Sequence, residues 1–287
     1  MRGEPDLISE SDRSDPFISK RIASGDRIPM MKYGPILIAL TAFCTQSSEA
    51  STVLYVQNFE NPTGFVNDGG DVNIYRSVNQ LYGNQPAGFS FAQQNTVETL
   101  RVGGTQAWGT GFRDPQGIAG NYALGLLSSW ENDLLALSFD IEAYRYLNFR
   151  VDISSIDLDR WGGPFVPVKG EAPSFRFTLY DNPTGITGLG SGAVLSTFDV
   201  SGTASARNTF DWTNVVAGLD ATGNTNGKVT LRIDLLSGGY AAMDNFVIAA
   251  SDRAGDVPPV PEPSSWISLG MGLAILARFS YRQKTST

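Results

Sequence analysis

The chain has 287 residues, with 21 Lys and Arg against 29 Asp and Glu, a formal charge of −8 and a pI near 4.6. Histidine is absent and cysteine occurs once, at Cys44, which excludes histidine-based nucleophile and acid–base machinery, His-ligated zinc and any disulfide framework. An acidic chain without a basic run also argues against nucleic acid, whose phosphates need clustered cations.

Residues 1–29 are polar and patternless, rich in Asp, Ser and Arg, with no periodicity that would bury a face. They read as a disordered or misassigned start, with Met30 or Met31 as the true beginning. The other reading is a genuine cytoplasmic extension, which would turn the next segment into a short uncleaved anchor. That segment, residues 30–50, has the layout of a secretory signal peptide. Lys32 gives a basic start, Pro35 to Cys44 is apolar, and Ser48 and Ala50 supply the small residues of a cleavage site before Ser51. Phe43 stands before Cys44 where a lipoprotein signal needs a small residue, so the cysteine leaves with the signal.

The passenger, residues 51–256, is long enough for one generous core. From Ser51 to Pro263 there are 12 basic and 22 acidic residues, so the exported part is relatively more acidic than the whole. Period-two alternation predicts strands at Val53–Phe59, Val72–Tyr75, Tyr122–Leu127, Leu135–Ile141, Leu147–Ile153, Ser174–Tyr180, Ala193–Val200, Val229–Leu235 and Ala241–Ala249. Turn clusters punctuate them, as in Asn67-Asp68-Gly69-Gly70 and Asp181-Asn182-Pro183-Thr184-Gly185. In Leu147 to Ile153 the odd positions face a core, while Asn148, Arg150 and Asp152 face water. Arg and Asp on such open faces are placed to pair across strands. No sustained helical period and no internal repeat competes. The predicted fold is all-β, a two-sheet antiparallel sandwich of jelly-roll type, with a cleavable N-terminal signal helix and a short C-terminal transmembrane helix.

The end of the chain, residues 257–287, has its own organisation. Val260-Pro261-Glu262-Pro263 is followed by an apolar run from Trp266 to Ala277 and then by Arg278, Arg282 and Lys284. The run spans about 18 Å as a helix, against about 30 Å of hydrocarbon, and extending it to Tyr281 gives a thin anchor of about 24 Å. The basic end belongs in the cytoplasm. Motif, short membrane segment and basic cluster, in that order at the chain end, resemble the PEP-CTERM sorting signal. The resemblance implies export by the general secretion machinery, recognition by an exosortase at the inner membrane, and transfer to the cell surface or extracellular matrix of a Gram-negative bacterium that makes exopolysaccharide. It implies nothing about the passenger, since a sorting tag sits on unrelated domains.

Three features of the passenger bear on function. Phe59-Glu60 after the first strand and Asp244-Asn245 in the last resemble positions that share a structural calcium ion in carbohydrate-binding jelly rolls. The resemblance implies Ca2+ at Glu60 and Asp244, completed by loop carbonyls, since calcium takes six to eight oxygens; the competing reading makes both acids turn residues. Asp157 and Asp159, two apart, point the same way on extended chain, and Trp161 follows in a Gly-rich loop where its ring could stack on a sugar. The competing reading balances the acids with Arg160 and lets Trp161 cap the sandwich. Trp108 and Phe112 interleave with glycines and amides in a third loop, suited either to binding or to covering a core edge.

A glycosidase needs two carboxylates set about a cleft. Asp140, Glu142, Asp152, Asp157 and Asp159 are numerous enough, but they alternate with core positions as solvated faces. The expectation is therefore a non-enzymatic surface protein that binds exopolysaccharide or a surface glycan through Trp161, Asp157, Asp159 and Trp108. A structural matrix protein without a ligand site is the second reading and a glycan hydrolase the third.

Overall fold

The computed structural model describes residues 51–66, 78–83, 85, 90–91, 97–106, 109–127, 133–157, 171–238 and 240–259. The extension 1–29, the signal 30–50, the strand expected at Val72–Tyr75 and the tail from Val260 lie outside them. Among the described residues no helix is long and apolar enough to cross a membrane.

The alternating segments form strands and pack into two sheets. In chain order the elements are β1 (Thr52–Gln57), α1 (Val78–Leu81), β2 (Ser90–Phe91), β3 (Val97–Arg101), β4 (Tyr122–Leu126), β5 (Leu134–Asp140), β6 (Tyr146–Ser155), β7 (Ser174–Asp181), β8 (Val194–Ser201), β9 (Thr213–Asp220), β10 (Lys228–Ser237) and β11 (Ala241–Ser251). One sheet has the order β3-β4-β11-β6-β9 with β1 also on β11, and the other is β2-β5-β10-β7-β8. All strand pairs within them are antiparallel. This is the two-sheet jelly-roll sandwich expected from the alternation.

The core lies between the sheets, where one face of each strand delivers its apolar set. Leu147, Phe149, Val151 and Ile153 of β6 meet Phe175, Phe177 and Leu179 of β7 and Val229, Leu231 and Ile233 of β10. Phe149 stacks on Phe177 across the layers, ring centroids 4.3 Å apart and 19° from parallel. The expected cross-strand ion pairing occurs in register between Arg176 on β7 and Asp199 opposite it on β8, at 2.7 Å, and more loosely between Lys228 on β10 and Asp140 on β5, at 4.0 Å. Arg232 instead bonds Asp234 on its own strand, at 3.0 Å.

The outer face of the six-stranded sheet departs from the simple pattern. Asn148 and Asp152, expected to face water, are 0% and 6% exposed. Two covers explain this. At one end the loops around residues 102–119 and 205–212 build a second core on Leu100, Ala123 and Ala242, with Phe112 stacked on Phe210 at 5.0 Å. Gly104 makes the first loop compact, because a Cβ there would overlap the backbone of Thr110 and Gly111. At the other end the segment after β11 folds back as a strap over Asn148. β9 was missed by the alternation because its outward residues include Val216 and Gly218, which blur the polar half of the pattern.

Candidate functional site

β11 is the seam of the molecule. One of its edges pairs with β6, while its other edge is shared end to end, Ala241–Met243 with β4 and Phe246–Ala250 with β1. Between the two partners the register against β6 shifts, from Asp244 to Val247. A bulge of this kind re-aims side chains and breaks the ladder. Asn245 takes it up with left-handed backbone, φ 52°, a conformation Asn tolerates better than most residues.

The chain after β1 closes this gap. Glu60 accepts hydrogen bonds from the Asn121 amide (2.7 Å), the Asn121 side chain (2.8 Å) and the Tyr122 amide (3.2 Å), tying the exit of β1 to the entry of β4. Gly120 is required there, with φ 60° and a Cβ direction that runs into the Glu60 carboxylate. Phe59 is also left-handed, φ 53°, which costs a bulky residue on the order of 1–3 kcal/mol. It is held by burial, by edge contacts to Phe246 and Tyr82 at 5.8 and 5.4 Å, and by the Tyr82 hydroxyl donating to its carbonyl at 2.7 Å.

Asp244 lies beneath this junction, with no exposed surface. Its Oδ1 accepts the Asn245 amide at 2.6 Å, while its Oδ2 is buried without a partner. Burial pushes the Asp244 carboxyl well above the usual carboxylate range; the Asn245 amide opposes this, and the charges of Glu60, Asp152 and Asp114 add to it. Asp114 is itself held by the amides of Gln116, Gly117 and Ala119, at 3.2, 3.0 and 2.8 Å. The orphaned oxygen and the negative surroundings are what a cation site needs. Among the described residues no three acidic side chains converge on one point, so backbone oxygens would have to complete a coordination shell.

Between the two covers of the outer face a groove of about 870 Å3 stays open. It runs over β1, β11, β6 and β9, from Gly117 and Ile118 on the loop side to Pro259 on the strap side. Its polar groups are Gln57, Asn58, Arg150, Asp152, Asn214 and Asn245. Asp152 is pinned by the side-chain amides of Asn214 (2.7 Å) and Asn245 (2.9 Å). Arg150, the next outward residue on β6, has no hydrogen bond or ion pair among the described residues. The groove therefore presents a guanidinium, a carboxylate and several amides on rigid strands.

Of the sequence-predicted sites, Glu60 and Asp244 are brought to one junction and act on each other by charge. Asp157 is partly buried, its backbone forms an isolated parallel β-bridge with Arg207, and the Asn208 amide donates to its carbonyl at 2.8 Å. Asp159, Trp161, Trp108 and the motif Val260, Pro261, Glu262 and Pro263 lie outside the described residues. Phe112, which shares the Trp108 loop, is a core residue of the second cluster. Sequence reading missed the groove, although Arg150 and Asp152 had been assigned to the outward face. The remaining signal was Asp244-Asn245, two residues disfavoured in strands, in the middle of a strand pattern.

The molecule is thus an all-β sandwich of jelly-roll type with a seam of acidic residues and one polar groove on its larger sheet. The family model for the PEP-CTERM protein-sorting motif matches residues 259–283, so the chain carries that motif and with it a signal for export to the surface or extracellular space. No curated protein matches the chain. Similar solved structures include the carbohydrate-binding module TmCBM61 in complex with β-1,4-galactotriose, at 9% identity over 58% of this chain and 90% of that one, TM-score 0.31. The xylan-binding domain from CBM 22 matches at 13% identity over 59% and 91% of the two chains, TM-score 0.33. A cyclase from Fischerella sp. TAU matches at 14% identity over 71% and 98%, TM-score 0.41.

Proposed function

We propose that this is an exosortase-processed surface protein of a Gram-negative bacterium whose β-sandwich binds polysaccharide without cleaving it. In this reading the general secretion machinery exports the chain and the signal of residues 30–50 is removed. The segment Trp266–Tyr281 then holds the chain in the inner membrane until the exosortase acts at Val260 to Pro263, and the passenger 51–256 is delivered to the surface or matrix.

The observation that carries the binding reading is the groove. Sugar hydroxyls both donate and accept, and an array of amides with one guanidinium and one carboxylate answers both needs. Its volume of about 870 Å3 lies within the usual range for ligand sites. Asp152 is the single carboxylate of the described lining, and its oxygens are engaged by amides, whereas glycoside hydrolysis uses a pair of carboxyl groups. Trp161 and Trp108, with Asp157 and Asp159, remain candidates for additional sugar contacts.

A structural Ca2+ at Glu60 and Asp244 belongs to the same reading. The support for it is the partnerless Asp244 Oδ2 and the run of negative charges that acts on it. The ion would neutralise the cluster and hold β1, β4 and β11 together at the bulge.

The test is retention of the processed protein on the producing strain's exopolysaccharide, with calcium and with chelator. Arg150→Ala is expected to weaken retention about tenfold, the loss of one good hydrogen bond to a charged group, with an unchanged melting temperature. Trp161→Ala and Trp108→Ala run beside it decide the two tryptophans. Absence of retention in either condition would favour a structural matrix component, and release of reducing ends a hydrolase. Changing Pro261 and Glu262 should leave the protein in the inner-membrane fraction.

A further inference from the structure

The chain itself arrives at the border of the groove, where Pro259 is one of its lining residues. After β11 the chain reverses at Ser251, whose hydroxyl donates to the Arg253 carbonyl at 2.9 Å and accepts its amide at 3.2 Å. The buried Asn148 side chain then fastens the strap. It donates to the Ser251 hydroxyl at 2.9 Å and accepts the Gly255 amide at 2.7 Å. Gly218, in register with Asn148 on β9, lets the strap lie flat, since a Cβ there would stand 2.6 Å from the Gly255 nitrogen and 2.7 Å from the Ala254 Cα.

The direction of travel follows from the rows of the sheet. Asn148, Arg150 and Asp152 are successive outward residues of β6, one row apart. The strap crosses the Asn148 row at Gly255, and by Pro259 it borders the groove whose floor holds Arg150 and Asp152. The next residues are Val260, Pro261, Glu262 and Pro263. Proline at 258, 259, 261 and 263 favours an extended polyproline path of about 3.1 Å per residue, which would carry Glu262 about 9 Å beyond Pro259. The cation among the described lining residues of the groove that Pro259 borders is Arg150, which has no hydrogen bond or ion pair among the described residues, and Val56, 48% exposed on the same lining, would offer an apolar surface to Val260 and Pro261.

We propose that in the unprocessed protein the segment Val260–Pro263 lies in this groove with the Glu262 carboxylate on the Arg150 guanidinium, so that the sorting motif and the groove's ligand exclude one another. Asp152, one row further on, repels Glu262 and stops the segment at Arg150. The motif can then be in the groove or in the exosortase, but not in both. The consequence for ligand binding, that the groove opens only when the tail is captured or removed, rests on the polysaccharide reading above. The docking itself does not.

The experiment uses the full-length protein in detergent micelles, with Cys44→Ser and Val56→Cys, and reads the rate at which a maleimide labels position 56. Occupancy of the groove at about nine parts in ten slows labelling about tenfold, so Glu262→Lys is expected to raise the rate by that factor. Arg150→Glu is expected to do the same, and the double exchange Arg150→Glu with Glu262→Lys to restore the slow rate. Glu262 lies outside the sandwich, so its variant keeps the test valid should Arg150→Glu fail to fold. Equal rates in all variants, or a double exchange that stays fast, overturns the proposal. Rates that change with protein concentration would also overturn it, by assigning the segment to a second copy. Retention of the full-length protein on polysaccharide separates the two readings: if labelling responds to Glu262→Lys and retention does not, the docking stands and the polysaccharide reading fails.

Discussion

Replacing Asp244 with asparagine isolates the charge at the β11 seam. The substitution keeps the side chain's shape and the Oδ1 acceptor that receives the Asn245 amide, and exchanges the partnerless oxygen for an amide nitrogen, equally without a partner but uncharged. Leaving a buried polar group unsatisfied costs about 1–3 kcal/mol, and more when it is charged. With cations chelated, at a pH where the Asp244 carboxyl is ionised, Asp244→Asn should therefore stabilise the fold by about 2 kcal/mol. For a domain of about 200 residues that is a rise of about 4–8 °C in melting temperature. Calcium reverses the order if it binds here. At a hundredfold excess over Kd it adds about 2.7 kcal/mol to the wild type, and little to a variant whose amide is a poor ligand. The pH dependence has a definite sign. The folded carboxyl titrates above its unfolded value, because burial and then the neighbouring charges disfavour ionisation. In the cation-free protein this carboxyl's contribution to stability is thus greatest below the unfolded value of about 3.9 and is lost as pH rises through the folded value. Calcium needs the carboxylate, so its increment should grow over the same range. Melting curves of both proteins at pH 5 and pH 8, with chelator and with calcium, read all of this. A lower melting temperature for Asp244→Asn in chelator, with no calcium shift in the wild type, would refute the argument from the orphaned oxygen.

Phe149→Ala removes one ring of the inter-sheet stack at Phe177 and should cost about 3–5 kcal/mol, as a drop of about 6–20 °C in melting temperature. Gly218→Val drives a branched side chain into the Ala254–Gly255 strap, and overpacking of this kind costs about 1–3 kcal/mol. Its specific readout is faster tryptic cleavage at Arg253, and an unchanged cleavage rate would mean that the strap does not depend on the bare backbone at 218. The Asp220 carboxyl is held well below the usual range by hydrogen bonds from Arg145 and from the side chain and amide of Thr222. Because the folded value is lowered, the pair's contribution is complete above the unfolded value of about 3.9 and is lost as pH falls through the folded one. The difference in melting temperature between wild type and Arg145→Ala should therefore be small, as for other exposed pairs, and should shrink further in acid.

The parts of the fold legible in the sequence are those in which one face of a strand is apolar and the other meets water. β6, β7 and β10 have this form, and their core faces fall where the alternation puts them. The alternation loses its meaning where both faces are covered. β11 is buried almost throughout, and Asn148 and Asp152 are polar residues on an outward face that other segments have roofed over. No local pattern announces such a roof, because the loops that form it are remote in sequence from the strands beneath. β3 shows the same effect: Val97, Glu98, Thr99 and Leu100 are all buried, so no polar half of the pattern is left to read.

The same distinction separates the two halves of the proposed function. A sorting enzyme reads a contiguous segment, so Pro261-Glu262-Pro263 with its apolar run and basic end is recognisable in the sequence by itself. The polar groove is assembled from Gln57 on β1, Arg150 on β6, Asn214 on β9 and Asn245 on β11, four strands that become neighbours only when the sheet forms. Glu60 and Asp244 stand between these cases. They were found as a pair by their places after the first strand and in the last, yet what makes Asp244 unusual depends on β1 and β4 sharing one edge of β11. Where the partners change, the ladder is interrupted, and a polar side chain is left at a depth where hydrogen-bond partners are scarce. A split strand edge is therefore the physical origin of the partnerless Asp244 carboxyl, and the groove beside it lies where the two covers of the outer face stop short of that split.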